Sequence, residues 1–321
     1  QVLTEFQLGV ESTAGTAVPT TRQYYPDGTG HIDPGAQISF HEGAQRGTYT
    51  NITHATKTGE APVISFNTDP DTGVTLDDLV LPGSMLEGGV TPTGAGPYVW
   101  SFTGGSTTHT FDTYTLNVGD DTQMYEVDYG IMSEFSISGG FDDLTQSSAE
   151  WMGQAISKVT ADAVASNDSA SIPSALWTIK YASAQSGLTG ASALDVLRSW
   201  TLDVDTGLVP RFRADGSLGF KEVLASDNLV GTLQMTWDNN SDAVVQYDNF
   251  QSQTVGFFRL AVTQGANSGQ IDLAVLWEDV EPVGSESDGV NETLMTGKLV
   301  YDATWDAAIA IDVTNDLAAL P

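Results

Sequence analysis

The chain has 321 residues, no cysteine, and 42 acidic against 11 basic residues, which gives a formal net charge of −31. Its length is enough for two domains with cores of their own, and the lack of cysteine excludes disulfides and thiolate metal sites. This charge excludes nucleic-acid binding by neutralisation of phosphates. A hydrophobic content of 40% excludes a disordered chain.

The acid surplus has two interpretations that are compatible with each other. Only five of the basic residues are lysine, which is typical of a surface adapted to molar salt, where charge repulsion is screened. The same surplus fits an acidic wall that faces a passing polyanion without binding it. The first thirty residues contain no basic flank followed by an apolar core, and no apolar run reaches about 18 residues. We therefore expect a soluble protein that does not associate with a membrane.

The first half of the chain predicts short strands that follow an unpatterned arm at residues 1–28. Apolar and polar residues alternate, between turns rich in glycine, in the segments 37–40, 49–53, 62–66 and 98–103. Residues 67–96 are rich in Asp, Gly, Pro and Thr. We expect them to form a long protruding loop that contains one helical turn at 74–81.

Residues 113–151 predict a β-meander most clearly, and their outline recurs later in the chain. Val127, Tyr129, Ile131, Phe135 and Ile137 fall on alternate positions after a turn at 119–121. The segment 199–237 repeats the outline, since its WTLDV aligns with YTLNV at 114–118 and a tryptophan closes both segments. Internal duplication explains this echo, and so does the chance recurrence of a common strand sequence.

An Asn-, Asp- and Ser-rich stretch at 166–169 predicts a linker. It divides the chain into a first β-domain at 1–165 and a second at 171–321. The second is expected to hold a short helix at 191–200, an acidic loop at 278–292, and strands at 175–181, 257–262, 270–277, 298–304 and 308–313. The fold class predicted is mainly β, with two tandem β-sandwich or split-barrel units that each contain a short helix.

Three stretches resemble a known family: residues 11–28 (ESTAGTAVPTTRQYYPDG), residues 100–140 with their SEFSISGG strand, and residues 296–313 (TGKLVYDATWDAAIAIDV). They are similar to the major tail tube protein of long-tailed, non-contractile, siphovirus-like phages and archaeal viruses. The resemblance implies units of the tail-tube type, whose rings stack into the tube through which the viral genome leaves. It implies a location in the virion tail, after assembly in the host cytoplasm, with other tail proteins as partners.

Two tandem units in one chain suggest a ring of three chains, with a ring of six as the alternative. DNA would pass through such a ring without specific binding. Candidate acidic channel or surface residues are Asp120, Asp121, Asp203 and Asp205. A candidate arm for contact between subunits contains Arg22, Tyr24 and Tyr25.

Catalytic and metal chemistry find little support in the sequence. The motif DTG occurs at 71–73 and 205–207, but neither copy has the apolar strand before it and the Ser or Thr after it that an aspartic protease needs. The four histidines lack helical spacing, and no other catalytic motif is present, so we expect no enzyme. Weak, salt-competed Ca²⁺ or Mg²⁺ binding remains open for the acidic pairs 69/71, 77/78, 120/121, 142/143 and 203/205.

A second class of function rests on four glycosylation sequons, which begin at Asn51, Asn167, Asn239 and Asn291. They fit a secreted or surface-layer β-sandwich module of a halophile. A signal peptide encoded in the gene would distinguish this class from a tail protein that assembles in the cytoplasm.

Overall fold

The computed structural model describes residues 5–24, 29–42, 52–105, 109–120, 122–164, 169–194, 196–225, 228–287 and 289–321. Over these ranges the protein is mainly β with large antiparallel sheets, as the sequence predicted. The elements of the first half are β1 Glu5–Val10, β2 Arg22–Gln23, β3 Thr29–Asp33, β4 Gln37–Glu42, β5 Ile52–Gly59, β6 Val63–Asn67, α1 Val80–Leu86, β7 Tyr98–Gly104, β8 Tyr114–Gly119, β9 Met124–Gly140, β10 Gln146–Met152 and β11 Ala155–Val159.

The second half begins with two 3₁₀ helices, Ser174–Leu176 and Gln185–Gly190, that flank its first strand. Its strands and one α-helix are β12 Thr178–Ala182, β13 Ala193–Leu194, β14 Leu197–Asp205, β15 Leu208–Arg211, β16 Glu222–Ala225, β17 Val230–Asp238, α2 Ser241–Ser252, β18 Gly256–Gln264, β19 Asn267–Ser287, β20 Val290–Leu299 and β21 Ile309–Asn315.

Strand β9 belongs to two sheets. Its first half pairs with β8 and β11, and β8 continues to β1 and β2. Its second half pairs with β10 and β14 inside a long sheet of order β3-β6-β10-β9-β14-β17-β20-β19. The two sheets pack face to face, where Phe6 stacks on Phe66 with ring centroids 5.1 Å apart and Trp151 lies beside them. The core therefore forms on either side of one bent strand.

The bend in β9 is held by a buried carboxylate from the N-terminal arm. Tyr129 has a left-handed backbone with φ of 51°, which is uncommon for a residue other than glycine. Its N–H donates to Glu11 Oε1 at 2.9 Å. Glu11 also accepts hydrogen bonds from the Thr113 and Thr115 hydroxyls and from the Gly15 N–H. One carboxylate thus ties the arm, β8 and the bend together.

The two segments of the sequence echo lie in different surroundings. Strands β8 and β14 follow one another along the same edge of β9, since β10 and β11 occupy its other edge. Trp237 lies in the strand next to β14, whereas Trp151 lies in β10, across β9 from β8. The similar sequences of β8 and β14 thus form two strands that both pair with β9 but have different neighbours on their other sides. Internal duplication stays a prediction.

The two halves of the chain share their sheet and their core. Strand β9 pairs with β14, and β21 pairs with β7, so hydrogen-bonded ladders cross from one half to the other. Buried apolar side chains from both halves form one large cluster. Among the described residues each half contains one α-helix, although neither spans the residues predicted for it. The predicted division of the chain into two domains, 1–165 and 171–321, stays a prediction.

The expectation of a protruding loop at 67–96 is wrong for its central part. Helix α1 begins at Val80 instead of Val74, and all seven of its residues are buried. Gly83 packs flat on the Phe102 ring, where a side chain would overlap the ring. The polar composition of the flanking residues concealed an apolar segment that fills the core between β7, β9 and β21.

Two predictions for the second half are also corrected. Residues 191–200 form parts of β13 and β14 instead of a helix, because β12, β17 and β9 offer edges that satisfy their backbone groups. Residues 278–292 are a β-hairpin made by the end of β19 and the start of β20, not a loop. The helix of this half is α2, capped by Asn240, whose side chain accepts from the N–H groups of Asp242 and Ala243.

A buried polar cluster joins the arm to the segment before α1. Arg22 forms an ion pair with Asp77, which also accepts a hydrogen bond from the Ser169 hydroxyl at 2.6 Å. Asp78 accepts from both the N–H and the hydroxyl of Thr75. Burial raises the pKa of the Asp78 carboxyl from 3.8 to about 6, against the lowering effect of these hydrogen bonds.

We expect Glu11→Gln to lower the free energy of unfolding by about 2–3 kcal/mol, because hydrogen bonds to a buried charge are lost and an amide group is forced toward N–H donors. Urea unfolding followed by tryptophan fluorescence measures this loss. Glu281→Gln, on an exposed hairpin, is the matched control. Equal stability of the two variants would contradict the role of Glu11 at the bend.

We expect the stability of Asp78→Asn relative to the wild type to depend on pH. The native carboxyl binds its proton more tightly than the unfolded one, so the wild type loses stability as pH rises from about 4 to about 6. Asparagine does not titrate and keeps an oxygen for Thr75. The variant should gain roughly 1–3 kcal/mol over the wild type between pH 4 and pH 7, measured by urea unfolding at each pH. Asp71→Asn, in an exposed turn, controls for the loss of one charge. A stability difference between Asp78→Asn and the wild type that does not change with pH would contradict a raised pKa of Asp78.

Candidate functional surface on the long sheet

One face of the long sheet is covered with hydroxyl, amide and carboxylate side chains. Along β14, Trp200, Leu202 and Val204 point into the core, so the residues between them point to the opposite face. The same alternation runs through six neighbouring strands. We call this surface the polar face, and its members are Ser65, Asn67, Glu134, Ser136, Ser138, Ser148, Glu150, Thr201, Asp203, Asp205, Thr232, Gln234, Thr236 and Thr296.

Four carboxylates lie together at one end of the polar face. Glu134 of β9 lies directly opposite Glu150 of β10 on one side and Asp205 of β14 on the other. Asp203 lies one pair further along β14, opposite Ser136. We call these four residues the acidic cluster. Like charges placed directly opposite across a ladder are destabilising, so the arrangement works against folding.

The acidic cluster has no internal counter-charge. Burial raises the pKa of the Glu134 carboxyl, and the negative charges of Glu150, Asp205 and Asp203 raise it further. Among the described residues, none of the four carboxylates forms an ion pair. Asp205 accepts one hydrogen bond, from the Gly207 N–H at 2.8 Å. No ion pair with a described residue therefore relieves this repulsion.

The polar face is shallowly concave at the acidic cluster. A depression of about 470 Å³ is lined by the cluster together with serines, Asn67 and Thr232. Lys298 lies further across the face, opposite Thr232 in the ladder, and donates to its hydroxyl at 2.8 Å. Its ammonium also lies 3.7 Å from Glu278. The concave part thus presents hydroxyls, amides and negative charge, together with the exposed side chain of Val230.

Two of the four acidic residues singled out from the sequence lie in this cluster. Asp203 and Asp205 do, whereas Asp120 lies in the β8–β9 turn, where its carboxylate accepts from the N–H groups of Thr122 and Gln123. These hydrogen bonds lower the pKa of Asp120. Asp121 lies outside the described residues. Asp120 therefore has a role in turn geometry and is remote in the ladder from the cluster.

Sequence reasoning missed Glu134 and Glu150. Each lies between core residues of a strand, next to buried Phe135 and Trp151 respectively. The alternation of β9 predicted that Glu134 points away from the core. That the two glutamates meet each other and Asp205 depends on strand order and register, which the sequence did not reveal.

The predicted arm for contact between subunits is corrected for two of its residues. Tyr24 is completely buried within its own chain, and burial raises the pKa of its hydroxyl well above the ordinary value. Arg22 is engaged by Asp77 and lies over the Tyr24 ring, 5.8 Å from its centroid. These side chains anchor the arm to its own subunit, because the core closes over them. Tyr25 lies outside the described residues.

Two of the acidic pairs proposed for weak cation binding, 69/71 and 77/78, serve local structure, whereas 203/205 belongs to the acidic cluster. Asp69 accepts from the Asp71 N–H at 2.7 Å in a turn, and both DTG motifs are turns with left-handed glycines at 73 and 207. In the part of the chain that the structure describes, no group of three or more Asp, Glu or His side chains is arranged to hold a metal ion. Weak Ca²⁺ or Mg²⁺ binding stays a prediction.

No helix among the described residues is both long and apolar enough to cross a bilayer. No protein-family model matches the sequence, and no curated protein is a significant match. The function of this chain is therefore inferred from the geometry of the polar face and from the residues that resemble tail tube proteins.

We expect Glu134→Gln to raise the melting temperature by about 1–3 °C at the lowest salt in which the wild type is folded, because one charge leaves a row of like charges. The gain should fade in 1 M salt, where the screening length falls to ~3 Å. Differential scanning fluorimetry over a salt series measures both effects. Gln146→Glu, which adds a carboxylate near the other end of the face, should show the opposite sign. A gain for Glu134→Gln that does not depend on salt would rule out charge repulsion as its cause.

Proposed function

We propose that this chain is the structural subunit of a viral tail tube of the siphovirus type, which assembles into rings that stack around the path of the genome. The observation that carries the proposal is the polar face: a concave, hydroxyl-rich sheet surface whose four clustered carboxylates form no ion pair with any described residue. A polyanion held near such a wall is repelled from every side. The tail-tube resemblance of residues 11–28, 100–140 and 296–313 supports the same function.

The polar face suits a conduit because weak interaction is what sliding requires. Each contact between a phosphate and a Lys or Arg is a favourable state, strengthened by release of counterions, that the DNA would have to leave before moving on. Serine, threonine and glutamine side chains keep the wall hydrated, and the acidic cluster opposes close approach. This also gives the repulsion within the cluster a purpose, since the chain keeps it at the expense of stability.

Ring closure is supported by the edges of the long sheet. Strand β3 pairs only with β6 among the described strands, and the outer part of β19, from residue 276 to 287, pairs only with β20. Both edges leave backbone groups available. Edges that would favour aggregation in a monomer can pair between neighbouring subunits in a closed ring.

The width of the sheet favours three chains in a ring. Eight strands at ~4.8 Å span about 38 Å, so three chains give a wall about 37 Å across and, after ~5 Å of side chain on each side, a bore of about 27 Å, which strand tilt widens. Six chains of this width would give a bore of about 63 Å. Because strands of both halves carry the polar face, each whole chain can line the channel. The alternative is a ring of six in which only one half does so.

The charge of −31 fits a halophilic host. In molar salt the screening length is ~3 Å, so subunits this acidic can approach one another, whereas at 10 mM it is ~30 Å and whole subunits repel. We place the assembled protein in the virion tail, with other tail proteins at the tube ends, and its assembly in the host cytoplasm.

We expect the purified chain, concentrated in molar salt, to form rings and tubes with three chains per ring, because the eight-stranded sheet closes at that number. Negative-stain images with end-on averages show the symmetry, and native mass spectrometry of rings gives the copy number. Six chains per ring, with half of each chain outside the wall, would exclude the ring of three and leave the proposed tube function intact. A chain that stays monomeric, or that forms flat two-dimensional lattices as a surface-layer module would, would exclude the tube.

The same tubes can test whether the polar face lines the channel. Wild-type tubes should show no binding of duplex DNA in a filter-binding assay at any salt that keeps them intact, whereas Glu134→Lys/Asp203→Lys/Asp205→Lys should bind it, with affinity that falls steeply as salt rises. Asp71→Lys/Asp248→Lys/Asp316→Lys matches this change in charge at three exposed acidic residues outside the polar face. Equal DNA binding by both variants would show that net charge, and not the polar face, controls access.

A further inference from the structure

Two exposed β-hairpins project from opposite ends of the long sheet. The first, β15–β16, is inserted between the end of β14 at Asp205 and the start of β17 at Val230, which is the end that carries Glu134. The second is formed by residues 282–292 of β19 and β20, because residues 279–281 still pair with residues 294–296 beside β17. It extends past the Glu292–Asp238 pair, at the other end of β17. We call them the basic hairpin and the acidic hairpin.

The basic hairpin is the exception in an acidic protein. Residues 208–225 contain three basic side chains, Arg211, Arg213 and Lys221, against Asp215 and Glu222, for a net +1. Phe212 and Leu218 on the same tip are 51% and 43% exposed. Arg213 pairs with Glu222 and Lys221 with Asp215, whereas Arg211 has no ion-pair partner in the described ranges.

The base of the basic hairpin is firmly attached. Phe220 is buried against the Tyr129 ring, with centroids 5.2 Å apart, and the Val223 N–H donates to the Tyr129 hydroxyl at 3.2 Å. The Leu218 carbonyl accepts from the Glu60 N–H at 2.9 Å. The exposed apolar and basic side chains are therefore presented on a supported tip.

The acidic hairpin has complementary properties. Residues 282–292 contain three acidic residues, Glu286, Asp288 and Glu292, and no basic one, for a net −3. Glu292 also pairs with Arg198 of the sheet at 3.4 Å. Val283 is 64% and Val290 39% exposed. The Pro282 carbonyl accepts from the Asn239 side chain at 2.9 Å and from the Thr293 hydroxyl at 3.2 Å, which fixes the hairpin to the body of the sheet.

We infer that the basic hairpin of one copy docks on the acidic hairpin of the next, so that copies of this chain stack end to end along the strand direction. Opposite charge and exposed apolar residues meet only in this head-to-tail contact, since like ends would bring +1 to +1 or −3 to −3. A head-to-tail contact does not close on itself and propagates as a stack. The inference rests on the proposed tube and names the surfaces that join its rings.

The apolar residues give the contact its tolerance to salt. An exposed ion pair contributes little and is screened in molar salt, whereas burial of Phe212, Leu218 and the two valines is strengthened by salts that are excluded from protein surfaces. The charges select the partner end, and the apolar side chains supply most of the affinity.

The test is a pair of charge-reversed variants that should fail to stack with themselves and stack with each other. Arg211→Glu/Arg213→Glu/Lys221→Glu changes the basic hairpin from +1 to −5, and Glu286→Lys/Asp288→Lys changes the acidic hairpin from −3 to +1. Tube growth is followed by light scattering and electron microscopy, in the lowest salt that supports wild-type tubes. The first variant alone should need at least a tenfold higher concentration to elongate, and the second alone severalfold higher. A 1:1 mixture should elongate near the wild-type concentration.

A matched pair of single substitutions tests the apolar part. Phe212→Ser should weaken elongation at least tenfold, whereas Phe40→Ser, at a position of similar exposure (53%) on another hairpin, should leave it within twofold of the wild type. Circular dichroism and ring formation verify that each variant folds.

The outcomes separate this contact from the proposed function. Tubes formed by the wild type and equally by the first variant would overturn the contact and leave the tube standing. Failure of the mixture, when each variant folds and forms rings, would also overturn direct pairing of the hairpins. A wild-type chain that forms neither rings nor tubes would overturn the proposed function itself.

Discussion

The bend in β9 is the constraint on which the rest of the structure depends. One strand of 17 residues serves two sheets only because its backbone turns at Tyr129, and the carboxylate of Glu11 accepts the N–H that this turn exposes. Without the bend, β8 and β11 could not pack as a second sheet over the face that holds Trp151 and Phe66. The Tyr129 hydroxyl and ring also support the base of the basic hairpin. The bend therefore links the core to a surface that we assign to assembly.

The acidic cluster and the core lie on opposite faces of the same strands, and they impose opposite demands. Phe135, Trp151 and Val204 are buried and stabilise the long sheet. Glu134, Glu150 and Asp205 repel one another on its other face with no counter-charge in the described chain. Burial of apolar area at about 25 cal/mol per Å² readily outweighs repulsion between partly solvated charges. A fold with a large core can keep a surface whose charges suit a passing polyanion.

In the tube that we propose, salt acts on assembly, on solubility and on the channel. Strong screening lets subunits of the same sign approach, while the apolar tips of the hairpins gain affinity under the same conditions. Repulsion over short distances survives between the acidic cluster and phosphates that come close. One composition, poor in lysine and rich in acid, can therefore keep separate subunits soluble, permit them to join, and leave the lining non-adhesive.

The sequence by itself determined the β class, the alternation of the strands and the direction in which Asp203, Asp205 and Glu134 point, because a period of two residues fixes the face of a side chain. Its 42 acidic against 11 basic residues also predict that phosphate binding is disfavoured. Only the tertiary structure decided that Glu134 meets Glu150 and Asp205, that residues 80–86 enter the core, and that residues 282–292 form a hairpin opposite the basic one. These facts depend on strand order, register and packing between residues far apart in the chain, and local patterns carry no record of such pairing.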